Sequence, residues 1–341
     1  MFRTPLICLE VGLALVWTCL FSASVAPVTA AEWEMYRQSA TYMGTKWHVA
    51  LYSQDAKTAN AAFAKAWETV DEIERDLTNY SATSELNRLC ASSPHDHPVP
   101  VGRHLWTTLQ ASHRMSLKTD GAFDVTIGPV SKLWRRARKK KQMPDADKLT
   151  DALKAVGFRL IEYDQQTTAV RLTKPDMQLD LGGIAKGYAV DQALSVIREC
   201  GVTSALVNGG GDLAVSDPPP GKDAWQVEVA GLNPREQTRQ IELANAAVAT
   251  SGDAWQYLII DKQRYSHIID PRTGLGTTRR ITASVVAPTC MLADALASAC
   301  CVLDPTTSAS LIKAHKDTAA TIVSIGEDGS PRVLAIPATE P

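Results

Sequence analysis

Three short stretches of this chain carry residue types whose spacing could do chemistry. Residues 178–191 read QLDLGGIAKGYAVD: an alternating run ends at Leu181, two glycines turn the chain, and a helix is predicted to open near Ala185. The first turn of a helix leaves N–H groups unpaired and carries a partial positive charge, so it attracts anions. Gly182 and Gly183 remove the Cβ atoms that would keep a ligand off that backbone, and Lys186 adds a full charge where a phosphate would sit. The spacing is not that of a P-loop, since no Gly-Lys-Ser/Thr follows a four-residue spacer. A tight strand-to-helix turn with Lys186 in solvent explains the same residues, so this stretch leaves both readings open. In the second stretch, Asn208 and three glycines abut Asp212, which allows close backbone approach to a ligand or makes a plain glycine-rich turn. In the third, Asp294 and Ser298 lie four apart on a predicted helix and share one face. A carboxylate and a hydroxyl stacked that way can offer hard oxygens to Mg²⁺, although helices carrying this pair are common.

The elements that must position these residues follow from periodicity. The run 46–52 alternates as a strand with Trp47, Val49 and Leu51 on one face, and 56–77 repeats apolar residues at helical steps. Ser84 is placed to cap a short helix over 85–89, and a helix is predicted over 101–117. Residues 122–130 form a shaped loop, because Gly128-Pro129 does not sit inside a regular element, and a helix follows around Leu133. A further helix opens at Pro144-Asp145 and ends at Gly157, before a hairpin of 158–163 with 169–172. After the central helix come a buried strand at 205–207 and strands at 225–229, 240–243, 255–260 and 265–269, with turns at 251–253 and 261–264. The chain closes with a strand at 281–287, helices at 291–303 and 306–315, and a hairpin of 320–325 with 332–336.

Composition is that of an ordinary globular protein: 341 residues, 45% hydrophobic and 21% charged, with a formal net charge of -2 that gives no sign of nucleic-acid binding. The basic run 135–141 is the local exception and reads as a solvated helix end or loop. His95-Asp96-His97 could bind a metal, but among Ser and Pro residues it reads as a solvated loop. The N-terminal 1–30 reads as a signal peptide, with Arg3, an apolar 11–25 and the small residues Val28-Thr29-Ala30 before a cleavage site at Ala31. That leaves 31–341 as one domain and points to export, into the periplasm or onto the outer face of the cytoplasmic membrane. Cys8 and Cys19 would leave with the signal; the remaining five cysteines show no CxxC spacing and suggest no zinc site, while one disulfide is open. Cys300 and Cys301 are expected to pack as small apolar residues on a buried helix.

Taken in order, the segments resemble the FAD:protein FMN transferase family, also called ApbE. The resemblance rests on Met43-Gly44-Thr45, on DGAFD at 120–124 with Gly128-Pro129, and on DLGGIAKGYA at 180–189. It continues through NGGGD at 208–212, Ser251-Gly252-Asp253, YSHIIDPRTG at 265–274 and ADALAS at 293–298. It implies an α+β, ApbE-like fold of two interlocked lobes around a central FAD cleft. It also implies transfer of the FMN half of FAD, with Mg²⁺ at the pyrophosphate, onto a Thr or Ser hydroxyl of an acceptor protein, releasing AMP. An exported enzyme could meet that acceptor near the membrane.

Position by position, the resemblance implies metal ligands at the Ala185 carbonyl, Asp294 and Ser298, and an FAD site lined by Met43, Tyr80, Asp124 and Lys186. Gly209, Gly210 and Asp212 match the segment that approaches the nucleotide. His267 falls near the reacting centre, as both base and flavin contact, and Asp270 follows it as a second catalytic candidate. The chemistry agrees: the leaving AMP needs its growing charge neutralised, which Mg²⁺ and Lys186 can supply. An alcohol needs a base, and His267 is the natural one. Two departures stand out. Ser298 replaces the family's usual Thr and lacks the methyl that restricts its rotamer, and Ala254-Trp255-Gln256 follows Ser251-Gly252-Asp253 where relatives often show Tyr-Glu-Arg. Hydrolysis of FAD to FMN and AMP, or FAD binding and delivery without turnover, are the alternatives to transfer.

Overall fold

The computed structural model describes residues 32–229, 239–253, 256–326 and 328–338. The expected signal peptide, Cys8, Cys19 and the Ala254-Trp255 departure lie outside the described residues. No helix among the described residues is long and apolar enough to cross a membrane. Residues 33–341 make one compact unit.

Its frame is an eight-stranded antiparallel sheet in the spatial order Glu34–Tyr42, Thr45–Ser53, Ala205–Gly209, Asp212–Val215, Ala246–Gly252, Ile281–Ala287, Ala319–Ile325 and Pro331–Ile336. Strand residues alternate between faces, so Trp47, Val49, Leu51, Val207, Ala283 and Val285 enter the main core. Over that face lie the helices Ala56–Leu77, Ala185–Glu199 and Cys290–Val302. The opposite face is covered by the hairpin of Trp225–Val229 with Arg239–Leu243, whose Trp225, Val227 and Leu243 pack on Leu213, Val215 and Val248.

Residues 56–77 form one helix, begun by Asp55, whose side chain accepts from Thr58 N at 2.8 Å. Its Phe63, Val70 and Ile73 are buried as the periodicity requires. Three strands of this sheet were not anticipated. Glu34–Tyr42 is an edge strand with no buried residue, so it has no apolar alternation to read. Ala246–Gly252 runs through the centre of the sheet, although its last two residues, Ser251-Gly252, were expected to begin a turn. Small residues there let the alanine-rich Cys290–Val302 helix approach closely. Asp212–Val215 follows the glycine turn at once and is too short to show a period.

A second layer packs on these helices. The helices Glu85–Ala91 and Arg103–Lys118 and the small sheet of Val99–Pro100, Ala169–Leu172 and Ile161–Asp164 share the main core, so the two lobes interlock instead of separating. The helix Gly128–Lys140 carries Val130, Trp134 and Ala137 against Leu258, Ile260 and Tyr265 of the hairpin Tyr257–Ile260/Gln263–Ser266. Gly128 opens that helix because a Cβ there would overlap the Gln178 carbonyl.

His95 is not a solvated loop residue. It is buried; Nδ1 accepts from Leu172 N at 3.1 Å and Nε2 then donates to Leu89 O at 3.0 Å, so this imidazole ties its loop to the Ala169–Leu172 strand and the Glu85–Ala91 helix. The five cysteines from Cys90 onward are free, and Cys300 and Cys301 are buried on their helix.

Candidate functional site

The three stretches meet where the Ala185–Glu199 helix begins. Leu181 O accepts from Ala185 N at 2.9 Å, which closes the Gly182-Gly183 turn directly onto the helix. Asp180 steadies the turn: one carboxylate oxygen accepts from Gly182 N at 3.1 Å and the other from Arg135 Nη2 at 2.7 Å. The helix then packs against the first turns of the Cys290–Val302 helix, and a Cβ on Gly187 would overlap the Cys290 carbonyl. That closeness lets Gly187 N donate to Asp294 Oδ2 at 3.2 Å. Ser298, one turn further on, sits against Gly183: a Cβ there would lie 3.0 Å from its Oγ. Asp294 and Ser298 therefore bracket Ala185, and the Ser298 hydroxyl is held by Ser251 Oγ at 3.1 Å.

On the sheet side, the glycine turn faces Met43-Gly44-Thr45. Gly209 lies over the Trp47 ring and Gly210 over the Thr45 side chain, with no space for a Cβ at either. Met43 and Gly210 both adopt positive φ, 49° and 70°, and two tight turns sit side by side at one end of the strands. Asp212 emerges from this pair buried and ion-pairs with Lys186 across the site.

The electrostatics follow from burial. Asp294 is 2% exposed, and burial pushes its carboxyl up to about 7; the nearby Asp212 charge adds to this, while Lys186 and the Gly187 N–H offset part of it. Burial pulls the Lys186 ammonium down, but Asp212 and Asp294 outweigh it and hold the group above its ordinary value. Among the described residues, no group of three His, Cys, Asp or Glu side chains is placed to hold a metal. A cation here would draw instead on Asp294, the Ser298 hydroxyl and the Ala185 carbonyl, all hard oxygens. A buried carboxylate whose one hydrogen bond is a 3.2 Å backbone contact fits such a cation. The Cys290 thiol beside it is buried and pushed well up, so it is no nucleophile.

His267 stands across the cleft at the end of the Tyr257–Ile260/Gln263–Ser266 hairpin. Its backbone N and its Nδ1 each lie 3.1 Å from Gln256 O. Nδ1–H must donate to that carbonyl, which leaves Nε2 as an acceptor with no partner among the described residues. Burial lowers the imidazole below its ordinary range, with Arg138 and Lys186 adding to the effect, so it stays neutral and basic near pH 7. Asp270 is engaged differently: Arg272 Nε and Nη2 reach its two oxygens at 2.9 and 2.8 Å, and Arg272 N adds a third bond at 3.0 Å. Its role in this geometry is to fold the turn after His267. Trp134 Nε1 donates to Gly274 O at 2.8 Å and pins that turn to the body.

Two further candidates fall outside the immediate cluster. Asp124 is buried with both oxygens spent, on Thr126 N at 2.8 Å and on Phe158 N at 2.7 Å, so it shapes the 122–130 loop from within. Tyr80 is exposed at the rim, where the Arg135 guanidinium lies 5.0 Å from its ring centre. The basic run is thus more than a solvated helix end: Arg135 joins Tyr80 to Asp180, and Arg138 Nη1 reaches Gln256 Oε1 at 3.3 Å. Arg135 and Arg138 are three apart on one helix, which was the available signal for a shared wall.

Fold and site together define an α+β protein in which the Lys186–Asp212 ion pair lies beside a set of hard oxygen donors at a helix N-terminus. The chain belongs to the ApbE family, whose model matches residues 43–322. It is 30% identical over 292 residues to a FAD:protein FMN transferase of Klebsiella pneumoniae (strain 342), covering 84% of this chain and 83% of that one. Against a FAD:protein FMN transferase of Escherichia coli (strain K12) it is 30% identical over 271 residues, 77% of each chain. The crystal structure of Pseudomonas stutzeri flavinyl transferase ApbE, apo form, superposes with a TM-score of 0.79 at 25% identity, covering 89% of this chain and 95% of that one. The flavin transferase ApbE from Vibrio cholerae gives 0.79 at 25% identity, over 89% and 97%.

Proposed function

We propose that this chain transfers the FMN half of FAD to a Thr or Ser hydroxyl of an acceptor protein and releases AMP. The observation that carries the reading is the buried Asp294 carboxylate beside Lys186, at the mouth of a turn stripped of Cβ atoms. A corner so built is suited to a cation-bound pyrophosphate and wasteful for anything uncharged. Mg²⁺ would be held by Asp294, Ser298 and the Ala185 carbonyl, where it would supply charge neutralisation at the pyrophosphate.

The remaining work falls to the chain's own residues. Lys186, released from Asp212 toward phosphate oxygens, balances charge as the bond to AMP lengthens. Gly211, with open space where a Cβ would be, lets the backbone approach the nucleotide, Gly209 and Gly210 hold that turn against Trp47 and Thr45, and Tyr80 with Arg135 forms a stacking rim. His267 Nε2 takes the proton of the acceptor hydroxyl as its oxygen attacks the FMN phosphorus; the phosphorus–AMP oxygen bond breaks and AMP departs. Asp270 and Arg272 keep His267 in place through the turn. Export is part of the proposal, supported by the charged and apolar pattern of 1–30, and so is an acceptor lying near the membrane.

The test is to incubate the protein with FAD, Mg²⁺ and a peptide carrying an acceptor Thr, then weigh the products. FMN on the peptide with one AMP per transfer is expected. Free FMN plus AMP with an unmodified peptide would replace transfer by hydrolysis, and intact FAD would leave binding alone.

A further inference from the structure

We infer that Asp191, with Gly187, is a positioning residue for the cation site: it clamps the helix carrying Ala185 to the helix carrying Asp294 and Ser298. The inference rests on the reading of those three residues as a cation cradle.

The cradle takes its oxygens from two helices, so its geometry is only as good as the register between them. A hard cation such as Mg²⁺ tolerates little departure from octahedral geometry. The contacts that set this register are on the page. Gly187 and Asp191 are four apart and face the same way, as do Cys290 and Asp294 on the facing helix. Gly187 N donates to Asp294 Oδ2 at 3.2 Å, and the absence of a Cβ on Gly187 makes space for the Cys290 carbonyl. One turn along, the Asp191 carboxylate accepts from Cys290 N at 2.7 Å and Met291 N at 2.9 Å, one oxygen to each.

Those two N–H groups are the first two of the Cys290–Val302 helix, which has no preceding turn of carbonyl oxygens to accept from them. The third, on Leu292, goes to the helix's own cap, Thr289 Oγ1, at 3.3 Å. A single Ser, Thr or Asp at the cap position is the common solution for a helix start. Here a carboxylate from another helix takes two of the three positions, and its charge meets the positive end of the helix dipole. The cap therefore does two jobs: it satisfies the helix start, and it fixes Cys290–Val302 lengthwise against Ala185–Glu199. Asp294 is one turn from the clamped residues, so a slip there moves its carboxylate relative to Ala185 directly.

The experiment compares Asp191→Ala and Asp191→Asn with the full-length wild type and with Asp294→Asn, using Mn²⁺ and Mg²⁺ alone as probes. Metal affinity is measured by titration calorimetry without FAD, FAD affinity without metal, and melting temperature on the same samples. Residues that orient metal ligands through hydrogen bonds typically cost ~10–100-fold in metal affinity when removed. The expected result is a loss in that range for Asp191→Ala, and a smaller loss for Asp191→Asn, which keeps one acceptor oxygen. FAD affinity should be unchanged, and flavin transfer should be restored by raising Mg²⁺. A structural residue behaves otherwise: melting temperature falls while metal affinity of the folded fraction holds, and excess Mg²⁺ rescues nothing. Either that pattern or unchanged metal affinity in both Asp191 variants overturns the proposal. Asp191→Asn keeps the side-chain shape and decides the matter if Asp191→Ala does not fold. Full metal affinity in Asp294→Asn would instead overturn the cradle itself, and so separates that failure from this one.

Discussion

The two walls of the cleft are made in opposite ways. The cation wall is two helices locked face to face, with Asp294 buried at their contact and its neighbours Gly187 and Cys290 in backbone contact. The His267 wall is a pair of small hairpins, Tyr257–Ile260/Gln263–Ser266 and Ile269–Asp270/Leu275–Gly276, tied back by bonds such as Trp134 to Gly274 and Arg138 to Gln256. The difference matches the demands on each side. Holding a hard cation at a pyrophosphate needs fixed oxygens, whereas the acceptor side must admit a segment of another protein and sits on short surface elements. Damage to the first wall should therefore appear in metal affinity, and damage to the second in the rate of the chemical step.

The largest effect should come from Asp294→Asn. Asparagine keeps an oxygen for Gly187 N, so the fold is expected to survive, but the only carboxylate among the three proposed cation ligands is lost. Metal affinity should fall by more than the ~10–100-fold cost of a supporting residue, and transfer should vanish at low Mg²⁺ while FAD still binds. Wild-type turnover at low Mg²⁺ would mean that the cation wall is misassigned.

On the other wall, His267→Ala should slow single-turnover transfer by ~10²–10⁴-fold, the usual cost of removing a general base, with little change in metal affinity. The wild-type rate should also fall on acidification through a pKa below the ordinary histidine value of about 6.5, because burial disfavours the imidazolium. The same shift has a stability sign. Between the lowered folded value and about 6.5 the unfolded chain binds more protons than the folded one, so stability rises with pH there and is lost as pH falls through it. A limb above 6.5, or one that survives in His267→Ala, would remove the base role.

The sequence discloses the walls unequally, for physical reasons. The cation wall lies on long helices and glycine turns: the helices expected to open near Ala185 and over 291–303 are found as Ala185–Glu199 and Cys290–Val302. What periodicity cannot show is contact. Lys186 and Asp212 are 26 residues apart, and Gly187 and Asp294 are 107 apart, so only the shared motifs of the family join them before the fold is seen. Asp191 reads as the end of a motif, because its work is done on backbone N–H groups a hundred residues away. In the other wall, the strands are two to four residues long: the strand expected over 255–260 includes Tyr257–Ile260, the one expected over 265–269 is replaced by Gln263–Ser266 and Ile269–Asp270, and Leu275–Gly276 is too short for alternation to show. The spent oxygens of Asp124 and Asp270 are invisible too, since a carboxylate in a motif looks the same whether it faces a ligand or its own loop.

Gly274→Ala should weaken the His267 wall alone. Gly274 has φ +72°, and an added Cβ would lie 3.0 Å from Leu149 Cδ1 and 3.3 Å from the Leu153 methyl groups. An L-residue in this left-handed region costs ~1–2 kcal/mol, before any packing strain. The expected outcome is a melting temperature lower by a few degrees and a slower chemical step, with metal affinity in calorimetry unchanged. Equal losses on both walls would show that they are mechanically one unit and that the contrast between them is false.

The smallest effect belongs to Ser298, and it tests how finely the cation wall is tuned. A threonine would have a restricted rotamer, while serine turns freely unless something holds it. In this chain Ser251 Oγ lies 3.1 Å from Ser298 Oγ and supplies that restraint from the neighbouring strand. Ser298→Thr should leave metal affinity unchanged or raise it slightly, provided the new methyl clears Gly183, which has no Cβ of its own. Ser298→Ala should weaken it by removing an oxygen. Ser251→Ala is the informative variant: with the restraint gone but the ligand oxygen kept, affinity should fall between those of wild type and Ser298→Ala. Adding Ser298→Thr to Ser251→Ala should then recover part of the loss, because the methyl restores the restraint by another route. If Ser251→Ala binds metal as wild type does, the hydroxyl pair is incidental and Ser298 is oriented by the cation alone.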